Sequence, residues 1–167
     1  MTGGASAGMA RWASYLNEGL SRYHRTRNNA ANRGGVSGMS PWLHHGMVAA
    51  TRLVRDAAEH GTKGAEKFLD EMLVFREHAY HHAHDVDRPY AWDHIPDWAR
   101  ASWRSTALVH PARPAMELER AQSSDVLWNA AQRGVVRHGV MHNNVRMTWG
   151  KGTVQWMEDP EAAMRLT

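Results

Sequence analysis

The chain has 167 residues, 43% of them apolar, which suffices for one core of ordinary size and leaves two independent domains unexpected. It has no cysteine, which excludes disulfides, thiolate nucleophiles and cysteine-ligated metals, and no apolar run nears the ~20 residues of a membrane helix. The net charge is only +3, yet all but three of the 20 basic residues are arginine, whose forked guanidinium suits phosphate.

Arginine usage of this kind fits either a nucleic-acid partner or a base-composition effect. Eight tryptophans against two phenylalanines is the larger anomaly, because an indole needs both apolar packing and a partner for its N–H. The first residues carry no signal-peptide pattern, and the expectation is a cytoplasmic, monomeric protein without a membrane partner.

From the amino terminus, Trp12, Tyr15, Leu16, Leu20 and Tyr23 recur at spacings of three and four, predicting an amphipathic helix over Met9–Arg27. A Gly/Asn-rich loop follows, and Ser40 and Pro41 read as the cap and first residue of a helix running to His60. Gly61 and Gly64 mark a break before a helix over Ala65–Ala83. Prolines at 89, 96, 111 and 114 then interrupt any long element, leaving short helices near Pro96–Ala99 and Met116–Arg120. Ser123 or Ser124 can cap a helix to about His138, which Gly139 ends; Asn143–Trp156 forms the next helix and Asp159-Pro160 opens a last one. No alternating strand pattern occurs, so the fold class is all-α, in one helical domain over residues 1–167.

Chemistry could reside in three places. The loop Gly34–Trp42 delivers glycines and the hydroxyls of Ser37 and Ser40 to a helix start, which is either an anion site or an ordinary helix entry. Glu77, His78, His81, His82, His84 and Asp85 place imidazoles at i, i+3 and i+4, a metal-capable spacing whose default reading is a solvated histidine-rich face; no metal is expected. Trp149 and Trp156 are seven residues apart, about 10 Å along one predicted helix, with Trp128 on the helix before. These rings are either core or an electron path.

Several stretches resemble a known family. Tyr23 with the R-x-R-N of Arg25–Asn28, and G-V-S-G-M-S-P-W-L-H-H-G from Gly35 to Gly46, resemble the G-T-S-R-L-S-P-Y-L-H-F-G region of photolyases and cryptochromes. F-L-D-E-M-L-V-F-R-E (Phe68–Glu77), P-D-W-A (Pro96–Ala99), L-W-N-A-A-Q (Leu127–Gln132) and M-H-N-N-V-R-M-T-W-G-K (Met141–Lys151) resemble class II photolyases in order and spacing.

The resemblance implies a helical FAD-binding domain of a light-driven DNA-repair lyase that splits cyclobutane pyrimidine dimers. By it, Tyr23, Val36, Ser37, Met39 and Ser40 would face the FAD diphosphate and ribityl chain, with Asn143 and Arg146 near the flavin. Val36 stands for the usual threonine and Gly38 for the usual arginine. Glu71 would hydrogen-bond the dimer, while Arg76, Asn144 and Met147 would meet the lesion or its DNA. Phe75 stands where a second arginine is usual. Trp149, Trp128 and Trp156 would be the proximal, intermediate and distal members of an electron chain. An amino-terminal α/β antenna domain and a carboxy-terminal segment of the site would be missing. Two other readings stay open: a non-repairing flavoprotein of the same fold, and a basic helical DNA-binding module without cofactor.

Overall fold

A computed structural model describes residues 2–89, 91–105 and 111–166, and every regular element among them is helical. The all-α expectation is met. The chain divides into two compact units, Met1–Asp87 and Arg88–Thr167, each with its own core.

In the first unit, α1 spans Ala5–Glu18 and ends at Gly19, well short of the predicted Arg27. A Cβ at Gly19 would stand 2.3 Å from the Tyr15 ring, so the chain turns where that ring folds over it. A 3-10 turn at Leu20–Arg22 leads into α2, Tyr23–Thr26. Trp12, Tyr15 and Leu20 are buried with Phe68 and Met72 in one core.

The predicted helix Pro41–His60 is two helices, α3 at Ser40–His44 and α4 at Ala50–His60. Between them Gly46 takes a left-handed φ of 64°, and Met47 N–H bonds back to the Trp42 carbonyl at 2.8 Å. This reversal buries Val48 beside Trp42 against α1, where Gly8 leaves room: a Cβ there would meet Val48 at 2.6 Å and Trp42 at 2.7 Å. Ser40 is the first residue of α3 and not its cap, since Met39 occupies the cap position without a side-chain bond.

Gly61 ends α4 at φ 63°, and Thr62 caps α5, Lys63–Asp70, through its hydroxyl oxygen. Gly64 is therefore inside α5 and breaks nothing. A Cβ on it would lie 1.9 Å from the Leu20 carbonyl oxygen, so its role is to let α5 rest directly on the Leu20–Ser21 backbone. The chain continues through a π-helical turn, Glu71–Phe75, into α6, Arg76–Asp85, two residues past the predicted end.

In the second unit a 3-10 turn at Trp92–His94 precedes α7, Asp97–Ser105, then α8, Ala115–Glu119, and α9, Val126–His138. Asp125 caps α9, accepting from Leu127 N–H at 2.8 Å and Trp128 N–H at 3.0 Å. The predicted serine caps are otherwise engaged: the Ser123 hydroxyl meets Asn129 at 2.8 Å, and Ser124 Oγ receives the Trp156 indole at 3.4 Å. Gly139 ends α9 at φ 68°. The next helix, α10, spans Asn143–Thr153 and stops before Trp156, as tight turns bond Gln155 N–H to Gly152 O and Trp156 N–H to Thr153 O. Trp149 and Trp156 thus do not share one helix face. Pro160–Leu166 forms α11. Leu118, Trp128, Trp156, Met157 and Ala163 make the core of this unit.

Candidate functional site

Glu71 opens the π turn, whose extra residue re-aims the side chains that follow; such turns recur at functional positions. Its carboxylate pairs with Arg27 from just beyond α2 and with Lys67, one turn earlier on α5, at 3.0 Å. Lys67 also pairs with Asp70 and lies 5.3 Å from the centroid of the Phe75 ring. Its hydrogen bonds to Asp70 and then Glu71 raise the ammonium pKa. Arg27 further sits 5.8 Å from the Tyr23 ring centroid, and the Tyr23 phenol is pushed above its ordinary 10.0, chiefly by burial, with Arg27 opposing. Arg27 and Lys67 thus hold Glu71 as an oriented acceptor beside a neutral phenol. The Lys67–Glu71 spacing was visible in sequence as i, i+4; the Arg27 contact spans 44 residues and was not.

The loop before α3 is braced by Arg11 of α1, which donates from Nε to the Ser37 carbonyl at 2.8 Å and from Nη2 to the Val36 carbonyl at 3.2 Å. Gly38 sits there at φ 68°, a region that favours glycine, and a Cβ on it would lie 3.8 Å from the Arg11 guanidinium. Ser40 is exposed and Ser37 and Val36 are half-buried, whereas the Met39 side chain is fully buried in the core. Only the backbone of Met39 remains for a ligand. The Nε1 of Trp42, two residues past Ser40, is buried without a hydrogen-bond partner. The hydroxyls, the glycine backbone and the nearby guanidinium fit a phosphate-bearing group.

Arg76 pairs with Glu77, donates to Tyr80 Oη at 3.3 Å and lies 4.6 Å from that ring's centroid. Along α6, His81 and His84 both face Asp85, at 2.7 and 2.9 Å. Among the described residues no group of three or more His, Asp or Glu is arranged to hold a metal ion.

In the second unit the three tryptophans converge. Trp128 stacks on Trp149 with centroids 6.1 Å apart and planes within 12°, and meets Trp156 edge-on at 5.2 Å and 69°. Trp128 is therefore the middle ring. Its close approach to α10 depends on Gly152, where a Cβ would stand 2.5 Å from the indole. The Trp128 N–H donates to the Trp149 carbonyl at 2.8 Å, and the Trp149 N–H donates to Gln132 Oε1 at 3.0 Å. Gln132 is buried and lies one turn after Trp128, in the L-W-N-A-A-Q stretch; sequence reading quoted it without assigning it a task.

The start of α10 carries Asn143, Asn144, Arg146 and Met147. Arg146 is exposed and donates to Asn143 Oδ1 at 3.0 Å; Met147 is exposed, and Asn144 N–H is capped by His142 Nδ1 at 3.2 Å. The other His142 nitrogen, Nε2, is buried without a partner. Two clusters thus emerge, Tyr23, Val36–Ser40 and Glu71 in one unit, and Asn143, Arg146 and the tryptophans in the other.

No protein-family model matches the chain. It is 34% identical over 167 residues to the deoxyribodipyrimidine photo-lyase of Methanothermobacter thermautotrophicus, covering 96% of this chain and 36% of that protein. It is 32% identical to the enzyme of the same name from Arabidopsis thaliana (92% and 32% covered) and 31% identical to that from Potorous tridactylus (98% and 31%). The chain thus spans about a third of the length of these relatives. Its fold is similar to that of a bacterial class III photolyase from Agrobacterium tumefaciens, with a TM-score of 0.65 at 17% identity, over 99% of this chain and 37% of that one.

Proposed function

Because the chain belongs to the photolyase family, we propose that its 167 residues act as one FAD-binding helical domain of a class II enzyme that repairs cyclobutane pyrimidine dimers in DNA with light. The observation that carries the reading is the Trp149–Trp128–Trp156 cluster, whose neighbouring ring centroids lie 5.2–6.1 Å apart. Aromatic rings at such spacing let an electron hop from one π system to the next.

When bound, a reduced flavin supplies the photoexcited electron that opens the dimer. The chain's own residues do the rest. Ser37 and Ser40 hydroxyls and the Gly38 backbone take the diphosphate, on a loop that Arg11 holds in place. Val36 and Met39 of that loop, the latter through its backbone, Tyr23 beside Glu71, and Asn143 and Arg146 on α10 would be the further residues serving the cofactor. Glu71, held in place by Arg27 and Lys67, would accept a hydrogen bond from a ring N–H of the dimer and so orient it. Arg76, Asn144 and Met147 meet the damaged strand. A dimer stacks and pairs badly, so extruding it costs less than extruding normal bases, and this favours the lesion over intact DNA.

The test is reconstitution with FAD followed by blue-light photoreduction and dimer repair on an oligonucleotide. A protein-shifted flavin spectrum with light-dependent repair is expected. In Trp128→Phe photoreduction should slow by at least about tenfold, a barrier increase of ~1.4 kcal/mol, while repair starting from prereduced flavin persists. A chain that stays colourless with FAD overturns the reading; one that photoreduces but repairs nothing points to a non-repairing flavoprotein.

A further inference from the structure

We propose that Gln132 is a positioning residue for electron hopping, which keeps the Trp149 indole protonated while that ring is oxidised. The inference rests on the electron-path reading of the tryptophans. Removing one electron from an indole turns its N–H into an acid, and a hole that loses its proton becomes a neutral radical that the next ring no longer refills readily. What the N–H faces therefore decides whether charge moves on or is trapped.

At Trp149 it faces Gln132 Oε1 at 3.0 Å, and the Gln132 amide nitrogen donates to the Glu119 carbonyl at 3.1 Å. The amide cannot be the other way round, because an indole N–H only donates and a backbone carbonyl only accepts. Gln132 is 9% exposed, so its side of the pair is shielded from bulk solvent. An amide oxygen is a good hydrogen-bond acceptor and a very weak base. It stabilises the positive charge on the ring without taking the proton. Trp128 is treated alike, its N–H meeting the neutral Trp149 carbonyl.

The electron balance is simple. With a flavin bound, one electron would pass from Trp149 to it, no proton would move, and one electron from Trp128 would refill Trp149, leaving the hole on Trp128. A cavity of about 150 Å³ flanks these rings, and the charged groups on its rim are Glu119 of α8 and Arg165 of α11. Glu119 is the carboxylate on that rim and so the base that Glu119→Gln removes. Gln132 stands between Trp149 and the α8 backbone, occupying the N–H that the carboxylate would otherwise draw on.

The experiment needs neither flavin nor DNA. The purified chain is oxidised by flash-generated tris(bipyridine)ruthenium(III), with persulfate as sacrificial acceptor, and transient absorption separates the protonated tryptophan cation from the neutral radical. The difference between the native chain and Trp149→Phe isolates the Trp149 signal. In the native chain that signal is the protonated cation. In Gln132→Glu, above the pH at which the new carboxyl ionises, the cation should convert to neutral radical at least tenfold faster, with a solvent isotope effect. In the Trp149→Phe background the acceleration should vanish. Gln132→Asn, too short to reach the indole, should shorten the cation lifetime severalfold and serves if the glutamate variant fails to fold. Unchanged lifetimes in both variants, an effect that survives Trp149→Phe, no Trp149-dependent signal, or a longer native lifetime in Glu119→Gln would each overturn the proposal. Failure of flavin binding or repair would instead overturn the functional reading and leave this one standing.

Discussion

Gly64→Ala should destabilise the first unit, although the same change inside a helix ordinarily stabilises by up to ~1 kcal/mol. The added methyl would stand 1.9 Å from the Leu20 carbonyl oxygen and 2.6 Å from the Ser21 carbonyl carbon, where ordinary contact begins at 3.4 Å. Backbone lies on both sides of the clash, so no rotamer relieves it and α5 must move away from the Leu20–Ser21 turn. Overpacking of this kind costs ~1–3 kcal/mol, and rigid surroundings place this case at the upper end. After the helix-propensity gain the net loss is about 2 kcal/mol, or roughly 8–16 °C in Tm for a unit of this size. Gly134→Ala is the matched control: it lies inside α9 with nothing within 4 Å of the new methyl, and should raise stability by up to ~1 kcal/mol. Thermal and urea unfolding of the two variants, followed by tryptophan fluorescence and calorimetry, supply the comparison. If Gly64→Ala shifts the transition upward as Gly134→Ala does, the claim that α5 rests on the Leu20–Ser21 backbone is wrong. The functional corollary is that Tyr23 and Arg27, which follow that turn, would be displaced from Glu71.

Asp125→Ala should lower stability by ~1 kcal/mol through loss of the α9 cap, while Ser124→Ala keeps that cap and loses only the 3.4 Å acceptor of the Trp156 indole, at ~0.5–1 kcal/mol; urea midpoints and far-UV helicity measure both. Trp12→Phe removes the 2.9 Å hydrogen bond from its Nε1 to Asp56 and opens space in the core, and should cost at least ~1.5–3 kcal/mol by the same assay. Burial raises the phenol pKa of Tyr15 and Tyr23 above 10.0. The folded chain then holds those protons more tightly than the unfolded one. That contribution is intact below pH 10.0 and is lost as pH rises through the folded-state values, at up to ~1.4 kcal/mol per unit and per tyrosine, less for partial exposure. Unfolding midpoints between about pH 9 and pH 11 should fall accordingly, and more gently in Tyr23→Phe.

Much of the candidate site was legible because its residues travel in short, ordered stretches. The proximity of Trp128 to Trp149 and Trp156 followed from resemblance alone, and the stacked and edge-on contacts put Trp128 between the other two rings. The reasoning offered for it did not hold: α10 ends at Thr153, so helical spacing does not bring Trp156 to the cluster, and the turn after Gly152 does. Met39, expected to face the cofactor, has its side chain buried in the core and leaves only its backbone for a ligand.

The one-dimensional pattern determined the helical class, the left-handed glycines at 61 and 139 and the stretches that carry the family likeness, because each is set by local propensity or by short-range spacing. The pattern did not disclose the breaks at Gly19, under the Tyr15 ring, and at Gly46, in a left-handed turn; these are local but surfaced only in the structure. The tertiary structure alone decided that Gly64 is a packing residue, that Arg27 and Lys67 converge on Glu71, and that Gln132 closes on the Trp149 indole. Those contacts join residues 17–44 positions apart, apart from the local Lys67 pair. Their partners are chosen by packing against a surface that no local window contains.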